Sequence, residues 1–71
     1  MKDCLLELRM FSKLLRLKRH EKELSQEELA ELVGCHPNAI GRLERGEATP
    51  SFRMIISIAN ALKISPKDLM P

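Results

Sequence analysis

Residues 26–45 read QEELAELVGCHPNAIGRLER, two amphipathic pieces divided by a glycine. Leu29, Ala30 and Val33 share one side of a helix wound at about 100° per residue. The run stops at Gly34, which takes the left-handed conformation of a helix C-terminus with no Cβ in the way. Pro37 follows almost at once, and its missing N–H and fixed φ suit a first helical turn. The sequence therefore predicts a second helix from Pro37 to about Arg45, with Ile40 and Leu43 inward, His36 as its N-cap and Gly46 as its stop. Upstream, Ser25 and Glu28 have the spacing of a capping box, and Leu24 and Leu29 that of a hydrophobic staple.

The flanks continue the pattern. From about Lys2 to His20 there is no Gly or Pro. Cys4, Leu8, Phe11 and Leu15 make one apolar stripe, and Leu6, Met10, Leu14 and Leu17 a second, roughly 135° around the cylinder. One stripe docks a helix on a small core, so the second is surplus to it. Downstream, Ser51 caps a helix with Ile55, Ile58, Ala59 and Leu62 on one face, and Ser65-Pro66 opens a last turn through Leu69. The prediction is five helices in a compact all-α fold, a single domain over residues 1–71 in which residues 1–10 extend the first helix.

The chain has 71 residues, 44% apolar, with two Phe and neither Trp nor Tyr. So short a chain leaves little room for both a core and a walled substrate pocket. No nucleophile with its base, carboxylate pair or metal-ligand cluster stands at a recognisable spacing, so neither an enzyme nor a cofactor, metal or small-molecule ligand is expected. Cys4 and Cys35 form no CxxC, and His20 and His36 offer no zinc spacing. Cys35 is expected to pack in the core. Two cysteines are few for a secreted disulfide scaffold, and no signal peptide or membrane span is legible, so a cytoplasmic location is expected. Net charge is +2, with seven basic and four acidic residues in 1–24 against five and six in 25–71. A polyanion would be met by a few placed groups and not by a basic tail.

The segment Gln26 to Arg45 resembles the helix-turn-helix of the lambda-repressor-like, xenobiotic-response-element family of bacterial and phage regulators. Taking Gln26 as the first of twenty motif positions, Leu29, Val33, Cys35, Ile40 and Leu43 occupy the apolar ones, Ala30 the small one and Gly34 the turn. Arg19 seven residues before Gln26, Leu-Glu-Arg-Gly at 43–46 and Ile-Ala-Asn-Ala-Leu at 58–62 extend the resemblance over about residues 11–70. It implies base contacts from the first, second and sixth residues of helix three, here Pro37, Asn38 and Arg42. Pro37 departs from the polar residue often found there and is left with apolar contact alone. It also implies a phosphate contact at Gln26 and an ion pair between Arg19 and Glu44.

Other expectations come from the residues themselves. Asn38 has the donor and acceptor for adenine, and Arg42 the fork for guanine. The N-termini of helices two and three are both suited to a phosphate oxygen. Arg45, the loop at Thr49 and Arg53 are further phosphate candidates. Gly41 sits inside helix three, at a cost of about 1 kcal/mol relative to Ala; close approach of a DNA backbone and simple tolerance both account for it. Double-stranded DNA is thus the expected partner, bound by a homodimer on a palindromic operator with recognition helices about 34 Å apart. The expected action is repression by occupying a promoter, with activation through contact with polymerase left open by the sequence, and Leu6, Met10, Leu14 and Leu17 are the expected dimer contact. A reading of another class stays open, a protein-interaction module or antitoxin-type protein that docks its partner on that same stripe.

Overall fold

The computed structural model describes the backbone of residues 2–70 and the side chains of residues 5–70; Cys4, expected on the inner stripe, lies outside the described side chains. Four α-helices follow one another: α1 (Lys2–Glu21), α2 (Gln26–Val33), α3 (Pro37–Glu44) and α4 (Phe52–Leu62). The expected fifth helix is a single 3₁₀ turn, Pro66–Leu69. Ser65 N–H donates to Asp68 Oδ2 at 3.1 Å, but Met70 is already extended (φ −104°, ψ 143°), so nothing propagates the turn. Helix three also ends one residue before the predicted Arg45, which is its C-cap. No strand occurs among the described residues.

Helices of eight residues are too short to persist alone in water, and α2 and α3 are of that length. They stand because their ends are satisfied and their inner faces are buried. At the start of α2, Ser25 Oγ accepts the Glu28 N–H at 2.9 Å and a Glu28 carboxylate oxygen accepts the Ser25 N–H at 2.8 Å, both halves of the capping box. His36 Nδ1 accepts the Asn38 N–H at 3.0 Å at the start of α3, and Ser51 Oγ accepts the Met54 N–H at 3.0 Å at the start of α4.

All four helices close at the C-terminus by one device. An N–H bonds back to the carbonyl five residues earlier: Leu24 to Arg19, Cys35 to Ala30, Glu47 to Arg42 and Ile64 to Ala59, at 2.8–3.1 Å. Each bond requires a left-handed residue just before the donor. Gly34 and Gly46 fill two of these places at φ 88° and 73°, whereas Glu23 and Lys63 fill the others at φ 58° and 59°. Three of the four donors, Leu24, Cys35 and Ile64, then turn a side chain onto the core, the apolar contact that accompanies such closures.

The core takes side chains from every element: Phe11 and Leu15, Leu29 and Ala30, Ile40 and Leu43, Ile58, Ala59 and Leu62, and Leu69. α2 packs on α3 and α4, and α1 on α3 and the 3₁₀ turn. The outer stripe of α1 stays in solvent, with Leu6 62%, Met10 41% and Leu17 51% exposed, while Leu14 is half-buried.

A non-glycine residue in the left-handed region costs about 1–2 kcal/mol. Lys63→Gly is therefore expected to raise the urea midpoint by the equivalent of a few tenths to about 1 kcal/mol, the greater freedom of an unfolded Gly cancelling part of the relief. Gly34→Ala is expected to lower stability by about 1–2 kcal/mol, through backbone strain alone, because an added Cβ there meets nothing within 4 Å.

Candidate nucleic-acid interface

The last residue of α3 ties three helices together. The Glu44 carboxylate accepts from Arg19 Nε at 2.6 Å and Arg19 Nη2 at 3.0 Å, a two-pronged pair from α1. Gln26 Nε2 of α2 donates to Glu44 Oε1 at 3.0 Å. The remaining Arg19 donor, Nη1, reaches Leu24 O at 2.7 Å. Arg19 is 8% and Glu44 4% exposed. Burial pushes the Glu44 carboxyl up, but hydrogen bonds from Arg19 and Gln26, with the Arg19 charge, overcome this and hold it below its ordinary value. Ser12, also buried, donates to Leu43 O at 2.6 Å, fixing the end of α3 against α1 a second time.

This network changes the reading of Gln26. Its side chain lies against α3, with an amide N–H on Glu44 Oε1, while the Gln26 and Glu27 N–H groups at the start of α2 have no helical partner. The N-terminus of α3 differs from the expectation. Pro37 has no N–H, the Asn38 N–H goes to His36 Nδ1 and the Ala39 N–H to His36 O. A phosphate therefore finds open backbone N–H groups at the start of α2 and none in the first residues of α3, where the Asn38 side-chain amide is the open donor.

The outer face of α3 presents Asn38 and Arg42, both exposed, beside the half-buried Pro37. The first turn of α3 holds no carboxylate. The Asn38 side-chain amide makes no hydrogen bond within the described residues, and Arg42 makes one, from Nη2 to Glu47 O at 3.3 Å, so most of its five N–H donors remain for a ligand. Thr49 lies near Arg42 on a shared open groove of about 260 Å³ with Ala39 and Ser51. Arg53 is exposed in the first turn of α4.

Arg45 is engaged otherwise. Its Nε and Nη2 donate to the two Glu47 carboxylate oxygens at 3.0 and 3.2 Å, which holds the Glu47 carboxyl below its usual value. Both side chains are about half exposed, and such pairs contribute little, so an incoming phosphate has a weak competitor. The same guanidinium lies over Gly41. A Cβ built on Gly41 lies 3.0 Å from Arg45 Nη1 and 3.5 Å from Gln26 Oε1. Two side chains thus converge over a helix surface left bare by the glycine. Cys35 packs against the core, and burial pushes its thiol up, away from the reactive thiolate. Among the described residues no group of His, Cys, Asp or Glu is placed to hold a metal, and no helix is long and apolar enough to cross a membrane.

A helix-turn-helix family model, HTH_3, matches residues 15–69. The chain belongs to that family. Control protein C.SmaI of Serratia marcescens is 40% identical over 52 residues, covering 73% of this chain and 62% of the relative, so this chain spans less than two thirds of the relative's length. The restriction-modification controller protein C.AhdI from Aeromonas hydrophila is 42% identical in a structural match with a TM-score of 0.85, covering 87% of this chain and 94% of that one. Hydroxypropylphosphonic acid epoxidase from S. wedmorenis matches 92% of this chain with a TM-score of 0.85 and 27% identity, but over only 35% of its own length. The same helical unit thus also stands inside an enzyme, and function must be argued from the residues on its surface. The family match begins at residue 15, leaving the first 13 of the 20 residues of α1 outside it.

Removing either member of the Arg19–Glu44 pair strands a buried charge, so Arg19→Ala or Glu44→Ala is expected to cost about 3–5 kcal/mol in urea unfolding. Because the folded-state value of Glu44 is depressed, its contribution is present above the ordinary 4.5 and is lost as the pH falls through the folded value. The urea midpoint of the wild type should therefore drop on acidification below 4.5 more steeply than that of Glu44→Gln.

Proposed function

We propose that this chain is a sequence-specific double-stranded DNA-binding transcriptional regulator, a repressor that occupies promoter DNA as a homodimer with α3 in the major groove. One observation carries the reading: within a helix-turn-helix family match, the exposed face of α3 offers unpaired amide and guanidinium donors with no carboxylate in its first turn. Asn38 suits the N6 and N7 edge of adenine and Arg42 the O6 and N7 edge of guanine, each worth about 1–3 kcal/mol of discrimination. Pro37 offers apolar contact only, as to a thymine methyl. Gln26, Arg45, Thr49 and Arg53 hold phosphates to either side. The likeness to C.AhdI over 94% of its length favours a controller of that kind.

The longest dimension of the described chain is 32 Å, and it carries one recognition helix. Two successive major grooves lie about 34 Å apart, so reading both takes two copies. The exposed Leu6, Met10 and Leu17, with the half-buried Leu14, supply the contact between copies in this reading. The same stripe is what an interaction module would use, and the oligomeric state of the chain alone separates the two.

Arg42→Ala is expected to relax preference at one base pair per half-site in a selection from random duplexes, with an unaltered melting curve; retained preference would remove Arg42 from base readout. Gln26→Ala should weaken binding to every sequence alike, and a shifted base preference would contradict its phosphate role. The double variant Leu6→Ser/Met10→Ser should sediment as a monomer where the wild type is a dimer. A dimer that survives the change lies elsewhere on the surface.

A further inference from the structure

Arg9 and Lys13 have no part in the interface described above, and both are exposed. With Arg16 they fall within an arc of about 60° on α1, at 3.6 residues per turn. That arc adjoins Ser12 and Arg19, whose side chains reach Leu43 and Glu44. The basic face of α1 is therefore turned toward the end of the recognition helix. Between them lies an open groove of about 230 Å³, lined by Arg9, Ser12, Lys13, Glu44, Arg45 and Gly46. The carboxylate on that lining, Glu44, is already taken by Arg19 and Gln26, and the Ser12 hydroxyl is spent on Leu43 O. What remains to face a ligand is cationic. α2, by contrast, carries Glu27, Glu28 and Glu31 and no basic residue.

We propose that this groove takes a stretch of sugar–phosphate backbone beside the base pairs read by α3, with Arg9 and Lys13 on one wall and Arg45 on the other each holding a phosphate oxygen. The inference rests on the DNA-binding reading above and extends its footprint into the part of α1 that precedes the family match. The C-terminus of α3 is the negative end of a helix and by itself disfavours phosphate. Three cations around it reverse that preference. A continuous polyanion fits better than a small anion, because the cations stand on separate walls of an open groove at the end of the helix that carries Asn38 and Arg42. The Arg45–Glu47 pair sits in solvent, so a phosphate can replace the carboxylate at little cost.

The test is Arg9→Ala/Lys13→Ala in the full chain, titrated beside the wild type with a random-sequence duplex over a series of salt concentrations. Each lost phosphate contact makes the slope of log K against log salt shallower by about 0.9, hence by about 1.8 per protomer for the pair. Affinity should fall for all sequences alike, with base preference unchanged. An unaltered slope overturns the groove and leaves the α3 reading standing, and is also the result expected if an acidic protein surface is the occupant. A wild type whose duplex binding does not respond to salt overturns both readings, and a shifted base preference overturns the backbone role. Should the alanine pair fail to fold by circular dichroism, phosphate ethylation interference with the wild type decides. Interference at phosphates outside the base pairs read by α3 is expected, and its absence there overturns the proposal.

Discussion

The carboxylate of Glu44 is the point on which the arrangement of this protein depends. It sits at the last residue of α3 and is held by Arg19 from α1 and Gln26 from α2, so three helices meet at one group. A buried ion pair is a poor source of net stability, since desolvating both charges offsets most of their attraction. What it supplies is angle. Apolar packing of Ile40 and Leu43 keeps α3 on the core but is tolerant of rotation, whereas a two-pronged bond with a third donor has one good geometry. The outward direction of Asn38 and Arg42 follows from that geometry, because they lie on the opposite side of the same short helix.

Around this anchor the chain economises on helix length. Two eight-residue helices persist because their ends are capped, from the reciprocal Ser25–Glu28 cap to the back-bonds that close each C-terminus. The closures also determine where the chain goes next, since the left-handed residue reverses its direction and places Leu24, Cys35 and Ile64 on the core. At the end of α3 the donor is Glu47 instead of an apolar residue, and its carboxylate faces Arg45 in solvent. The one closure without an apolar follower is thus the one beside the proposed interface.

Charge is distributed by face. α1 buries one side, lays a basic strip along the side nearest α3 and leaves an apolar strip beyond it, while α2 is acidic outward. A net charge of +2 is therefore the sum of unlike surfaces and says little about any one of them. Attraction to a polyanion is set by the local field within about one Debye length, some 8 Å at physiological salt, so a nearly neutral chain can still present a cationic surface.

The helices, their caps and the helix-turn-helix spacing could be read from the residues, because each depends on neighbours within about five positions: Ser25 with Glu28, Gly34 after Val33, Pro37 after His36. The inward and outward stripes of α1 followed from the helical period in the same way. Where a stop carried no glycine, the local signal failed. Glu23 and Lys63 take left-handed conformations that only the closure of α1 and α4 onto the core imposes, and the last turn reads as a helix until Met70 extends. Gly41 shows the same limit more sharply, since its neighbours Gln26 and Arg45 are brought over it by the crossing of α2 and α3 and by the end of α3. Sequence alone determined which segments are helical and which of their faces are apolar, since both are properties of a few adjacent residues. Tertiary structure alone decided that Gln26 reaches across to α3 with an amide N–H on Glu44, and that Arg9 and Lys13 share a groove with Arg45. Those facts depend on how side chains compete for partners across helices, and that competition exists only after the helices have met.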